Sequence, residues 1–250
     1  MKILIIDVLC VPSGERQLDL MLDVLPILKD EKVEIKTLHL ESEKLDFDLI
    51  EWADKIILSG SFKSVYEEFH WKEDLRKAVD LVIELEKPMH AICFGAQFVA
   101  WHLGGKVVRN PAGIEFGVID LVLTEAGKSH EVLTELVNGD GVTKVHSSHK
   151  DAILELPAGA TLLAHNSNTP VQAFQYGHIL ATQFHPDFPT WFMKKLLEMR
   201  KNFFIDNGFL KGDLHFENIR SELENGKGGQ IVLAKFLDSN KSTDLNQQQR

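Results

Sequence analysis

A doubly wound α/β fold, with a mostly parallel sheet flanked by helices and added antiparallel strands, is predicted by three features of the sequence. From Ile3 to Gly105, short continuous apolar runs alternate with segments of helical spacing. From Ile114 to Phe184, strand-like runs follow one another with only turns between them. No Pro/Gly/Ser-rich linker separates the two regions, so the later strands extend or flank the first sheet instead of forming a unit of their own.

Taken in order, Ile3 to Val8 is an apolar run suited to a strand buried on both faces, and Leu18 to Leu28 has helical spacing. Val33 to Leu40 reads as the next strand, and Lys55 to Leu58 as another, ending in Ser59-Gly60-Ser61. Trp71 to Leu85 is an amphipathic, solvated helix that stops before Pro88. Met89 to Cys93 is a strand and Phe94 to Leu103 a helix, closed by Gly104-Gly105. Ile114 to Thr124, Val142 to Ser147, Thr161 to His165, Val171 to Tyr176 and Ile179 to Phe184 supply the antiparallel strands, with Tyr176-Gly177-His178 as a hairpin turn. From Pro189 onward the spacing is helical, broken near Asn207-Gly208 and Asn225-Gly226. The chain therefore divides into one domain over 1–205, a helical extension over 206–238 and a polar tail over 239–250 whose composition predicts disorder.

Composition narrows the function. The 250 residues carry 27 Lys+Arg against 37 Asp+Glu, a formal net charge of −10, with no basic cluster to attract phosphate backbones or anionic lipid. That argues against a nucleic-acid or membrane partner and for a small molecule. The apolar start after Lys2 is stopped at Asp7, too early for an export signal, and no run of residues has the length to cross a bilayer. Two cysteines, Cys10 and Cys93, make no disulfide framework, so a reducing, cytoplasmic home is expected. His146 and His149 bracket Ser147-Ser148 without an evident third ligand, so no metal site is assigned, and no phosphate-binding glycine fingerprint calls for a nucleotide cofactor.

The segment that carries chemistry is Ala91-Ile92-Cys93-Phe94-Gly95-Ala96-Gln97, where an apolar strand gives way to a helix. It has the form of a nucleophile elbow with Cys in place of Ser. Small neighbours, Ala91 and Gly95, leave room for the tight turn, and the helix N-terminus favours a thiolate at Cys93. A thiol nucleophile needs a base, and Gln183-Phe184-His185-Pro186-Asp187 follows another apolar strand. His185 can take the thiol proton, and Asp187 can fix its tautomer. Taken alone, His-Pro-Asp reads equally well as a loop turn whose Asp caps the following helix. Cys10, just after the first strand, reads as a bystander.

These two segments, in this order, resemble the class I (triad) glutamine amidotransferase domain, close to the glutaminase half of GMP synthetase and its stand-alone relatives. The likeness runs from about Met1 to Phe192 and includes Leu58-Ser59-Gly60-Ser61 with Ser64-Val65-Tyr66, Leu103-Gly104-Gly105-Lys106-Val107, Glu115-Phe116-Gly117, and Gln172 through Gly177. It implies a flavodoxin-like fold, with 1–205 as the catalytic domain. It also implies that Cys93 attacks the side-chain amide of glutamine, that His185 relays protons and that Asp187 orients His185. The backbone N–H groups of Phe94 and Ser61 would form the oxyanion hole, and Gly60, Gln97, Ser148 and His149 would hold the substrate. No cofactor is implied.

Three positions depart from the family pattern: Ala91 stands where Gly is usual, Gly60-Ser61-Phe62 where a loop ending in Pro is common, and Asp187 where Glu is typical. About 65 residues follow His185, too few for an ATP-activating synthetase domain, so any ammonia acceptor is expected on a separate synthetase subunit. Two other readings stay open: hydrolysis of a γ-glutamyl peptide or isopeptide without ammonia transfer, and a non-catalytic binding protein of the same fold.

Overall fold

The computed structural model describes residues 1–136 and 142–239. The predicted disordered tail lies, from Asn240 on, outside the described residues. The first strand, β1 (Lys2–Asp7), shows how the sheet acquires two covered faces. A pleated strand sends alternate side chains to opposite sides. Leu4 and Ile6 accordingly enter one apolar cluster, and Ile3 and Ile5 a second one across the sheet. After α1 (Gln17–Val24), β2 (Glu34–His39) pairs parallel with one edge of β1. After α2 (Asp48–Trp52), β3 (Lys55–Leu58) pairs parallel with the other edge. α3 (Lys72–Glu84) leads to β4 (Met89–Ile92), and α4 (Phe94–His102) starts directly after Cys93. Leu75, Val79 and Val82 of α3 and Phe94 and Phe98 of α4 pack with Leu4 and Ile6.

The middle of the chain adds the antiparallel half. β5 (Lys106–Arg109), β6 (Glu115–Leu123), α5 (Glu125–Ser129), β7 (Val142–His149), β8 (Asp151–Glu155), β9 (Thr161–His165), β10 (Ala173–Tyr176) and β11 (Ile179–Thr182) follow in order. β10 and β11 form the predicted hairpin, with Gly177 at φ +53° in its turn. β11 then pairs parallel with β4, so the described sheet runs β2-β1-β3-β4-β11-β10-β9-β6-β7. β5 and β8, neither expected from the sequence, pair with each other apart from it. The pairing of β11 with β4 sets Thr182 beside Ile92. Consequently Cys93 and the Gln183-to-Asp187 segment leave the sheet side by side at its carboxyl end.

The C-terminal segments close the remaining faces. α6 (Thr190–Met199), α7 (Lys201–Asp206) and α8 (Asp213–Glu222) pack Phe192, Leu196, Phe204 and Ile219 against Leu9, Leu20 and Phe116. α9 (Gln230–Asp238) lays Val232, Leu233, Phe236 and Leu237 over Ile3, Ile5 and Ile57. The last turn of α9 exposes carbonyls that the helix cannot pair. Buried Lys55 donates to those of Phe236 and Leu237, the latter at 2.9 Å. The 205/206 boundary expected from the sequence falls inside α7. Among the described residues no helix is long and apolar enough to cross a membrane.

Candidate active site

Cys93 occupies the turn between β4 and α4 at φ +50°, ψ −101°, a strained conformation for a residue with a Cβ. Neighbouring contacts hold it there: its N–H donates to Thr182 O at 2.7 Å, and its carbonyl accepts from Gln97 N at 3.0 Å. Gly95 is needed because a Cβ there would lie 2.7 Å from Leu58 O and 3.2 Å from Ser59 O. The bare Cα lets the first turn of α4 seat against the end of β3.

His185 and Asp187 come from the segment after β11. His185 Nδ1 is 3.0 Å from Asp187 Oδ1, and since a carboxylate only accepts, Nδ1 carries the proton. Phe188 stacks on the imidazole with ring centroids 3.7 Å apart. Both members of the pair are buried. Burial alone would pull the His185 pKa down, but the Asp187 carboxylate and Cys93 outweigh it and raise the imidazole to about 10. A Cβ on Gly60 would lie 3.1 Å from His185 Cε1 and 3.6 Å from Cys93 Cβ, so this glycine marks where the two side chains face each other.

The other predicted site residues fall around that centre with differing roles. Ser61, Gln97, Ser148 and His149 line the cleft with Cys93 and His185. Phe94 supplies the first N–H of α4, which has no acceptor within the helix. Ser148 O lies 3.8 Å from Cys93 Sγ. Gln97 Nε2 is engaged, donating to Asp151 O at 2.9 Å and to Gln183 Oε1 at 3.0 Å. The His149 ring is turned into the protein, with Nε2 at 2.8 Å from Glu115 Oε2 and Nδ1 at 2.9 Å from Asp151 O. Any contact of His149 with a ligand therefore runs through its main chain. His146 is engaged elsewhere, Nε2 facing Leu223 O at 2.7 Å.

Four residues of the site escape motif reading. Gln183 Nε2 donates to Cys93 Sγ at 3.5 Å. Gln17 Nε2, from the start of α1, donates to Asp187 Oδ2 at 2.7 Å. Asp151 receives the hydroxyls of Ser64 at 2.5 Å and Tyr66 at 2.8 Å, which fixes the carbonyl that Gln97 and His149 use. Glu115 gathers donors from His149, Gln172, Asn166 and Ser147. Burial opposes its charge, yet the hydrogen bonds from His149, Asn166 and Gln172 hold its carboxyl below the usual range. Of these, Gln183 was within reach, since it lies two residues before His185 in the same motif.

The family model described as Glutamine amidotransferase class-I matches residues 25–206. The chain belongs to the class I glutamine amidotransferase family. Within that family it is similar to the GMP synthase [glutamine-hydrolyzing] of Azoarcus sp. (strain BH72), 38% identical over 136 residues, covering 53% of this chain and 25% of the relative. It is also similar to gamma-glutamyl peptidase 5 of Arabidopsis thaliana, 31% identical over 140 residues, covering 54% of each. The match thus spans about a quarter of the synthase and half of the peptidase. Among solved structures, a glutamine amidotransferase from Thermotoga maritima superposes with a TM-score of 0.75 at 23% identity, covering 95% of this chain and 98% of that one. A glutamine amidotransferase from Methylobacillus flagellatus gives 0.71 at 17% identity, covering 95% and 93%. At such identities these two bear on the fold, and it is that of the class I amidotransferases.

Proposed function

We propose that this protein is a cysteine hydrolase that cleaves the side-chain amide of a glutamyl group, glutamine being the simplest substrate, through a thioester on Cys93. The observation that carries the reading is the strained Cys93 turn facing an imidazole that Asp187 orients and keeps protonated. Membership of the glutamine amidotransferase family supports it.

In this reading Cys93 Sγ bonds to the amide carbon while the carbonyl oxygen takes up negative charge. The N–H groups of Phe94 and Ser61 stabilise that oxyanion. Collapse breaks the C–N bond, and His185 gives its proton to the departing nitrogen. Water then adds to the thioester, returning a proton to His185 and freeing glutamate and the thiolate. Every step is acyl or proton transfer between groups named above. With glutamine the product is ammonia, available to a synthetase partner. The name of the GMP synthase relative, which calls it glutamine-hydrolyzing, supports glutamine as a substrate; the peptidase relative supports a γ-glutamyl peptide. Purified protein given L-glutamine should release glutamate and ammonia in equal amounts, and Cys93→Ala should abolish the release. Turnover retained by Cys93→Ala would contradict the thioester.

A further inference from the structure

One wall of the cleft consists of residues the hydrolysis itself does not use. Phe188 lies flat on the His185 ring, and Leu196 of α6 and Arg200, the residue that follows that helix, line the same cleft. The Arg200 guanidinium is half-buried and packs on aromatic rings, its Cζ 5.3 Å from the Phe62 centroid and 4.1 Å from that of Phe203.

Charge at the wall is unbalanced. The two lysines lining the cleft have acids beside them, Lys63 with Glu41 at 3.4 Å and Lys150 with Glu67 at 3.7 Å, and His185 has Asp187. Among the described residues no carboxylate pairs with Arg200. Arg109, itself bonded to Asn207 Oδ1 at 2.8 Å, adds a second positive charge. Burial first, then Arg109, lower the Arg200 pKa, while Cys93 acts the other way. A guanidinium so placed is stabilised by an incoming anion, and its planar fork suits a carboxylate.

The position says which carboxylate. Because His185 protonates the departing nitrogen, the leaving amine lies beside the imidazole, the ring on which Phe188 stacks, in the cleft that Leu196 and Arg200 also line. Ser148 and Gln183 instead contact the sulfur itself.

We propose that Arg200 recognises a carboxylate on the leaving amine, so that the substrate class is a γ-glutamyl amino acid or short γ-glutamyl peptide. This rests on the thioester reading. For γ-glutamyl-glycine, Cys93 Sγ bonds to the γ-carbonyl carbon, the C–N bond breaks, His185 protonates the nitrogen, and glycine departs with its carboxylate intact. Water then splits the thioester to glutamate.

The test compares kcat/KM for γ-glutamyl-glycine with that for γ-glutamyl-methylamide, which has the same scissile bond and no leaving-group carboxylate. The wild-type protein should favour the first by about 10-fold or more. Arg200→Gln should bring the ratio close to one, and Arg200→Lys should fall between. A wild-type ratio near one, or a ratio that survives Arg200→Gln, overturns the assignment. A KM raised equally for both substrates in Arg200→Gln also overturns it, because Arg200 would then hold the glutamyl part they share. If Arg200→Gln does not fold, the wild-type ratio and Arg200→Lys still decide. Turnover of neither substrate by folded wild-type protein overturns the thioester reading beneath it, a failure distinct from turnover without preference.

Discussion

Gln17 Nε2 donates to Asp187 Oδ2 at 2.7 Å, tying the first helix to the carboxylate that faces His185 across 170 positions of sequence. Both Asp187 oxygens are therefore engaged, one by His185 and one by Gln17. Asp7 secures the donor in turn, its Oδ2 accepting from Gln17 N at 3.0 Å. Asp187 reaches the imidazole at 3.0 Å.

Gln17 is a positioning residue on this geometry. Gln17→Leu should lower kcat by about 10-fold while KM changes little, and should cost about 1–3 kcal/mol of stability because a buried carboxylate oxygen loses its donor. Steady-state kinetics and thermal midpoints on the same samples separate the two effects. A stability loss with unchanged kcat would reduce Gln17 to a structural role.

Substitutions at Asp187 separate charge from reach. Asp187→Ala removes both the tautomer preference and the charge partner of His185, and kcat should fall by about 10-fold or more, at least about 1.4 kcal/mol in the transition state. Asp187→Glu adds a methylene at a fully buried position already shared with Gln17. It should cost about 1–3 kcal/mol by overpacking but keep more activity per folded molecule than the Ala variant. Asp187→Ala that is less stable yet fully active would confine this residue to structure.

Much of this was legible in the sequence because local pattern and tertiary role coincide there. Lys55 to Leu58 and Thr161 to His165 match their strands residue for residue. The elbow was legible because a strand, a tight turn and a helix follow one another without a gap. β5 and β8 were not, since Lys106–Arg109 and Asp151–Glu155 are four and five residues long with charged ends, and they are held by tertiary contacts: their pairing with each other and the burial of Val107 and Ile153 in the core. Gln17 was invisible as a site residue, and Glu115 stood in a segment of family likeness with no role attached, for a related reason. Nothing near them in sequence signals that folding sets one against Asp187 and the other against His149.

Two glycines mark different demands. Gly95→Ala drives a Cβ to within 2.7 Å of backbone oxygen at Leu58, which cannot yield without moving a strand, so about 1–3 kcal/mol of stability should be lost. Gly60→Ala meets the edge of the His185 ring at 3.1 Å, so kcat should fall further than the thermal midpoint suggests. Equal loss of activity per folded molecule in both variants would contradict the assignment of Gly60 to the Cys93–His185 contact.

The raised His185 pKa predicts an alkaline limit. Because the folded value of about 10 exceeds the ordinary 6.5, the stability this group contributes is present in full below about 6.5 and is lost as pH rises through about 10. kcat/KM should decline over the same upper range as the imidazolium loses its proton. Thermal midpoints against pH should show the loss in the wild type and a flatter profile in His185→Gln. Identical profiles for the two proteins would contradict it.

The most direct measurement is of which thiol reacts. Burial, followed by Glu41, pushes the Cys10 pKa up to about 11, which keeps that thiol protonated and inert near neutral pH. Cys93 faces the imidazolium of His185 in the cleft. A stoichiometric amount of a chloroketone analogue of glutamine, followed by intact-mass analysis and peptide mapping, should place one adduct on Cys93 and leave Cys10 unmodified. An adduct on Cys10 alone, or on neither cysteine of the folded protein, would contradict Cys93 as the nucleophile.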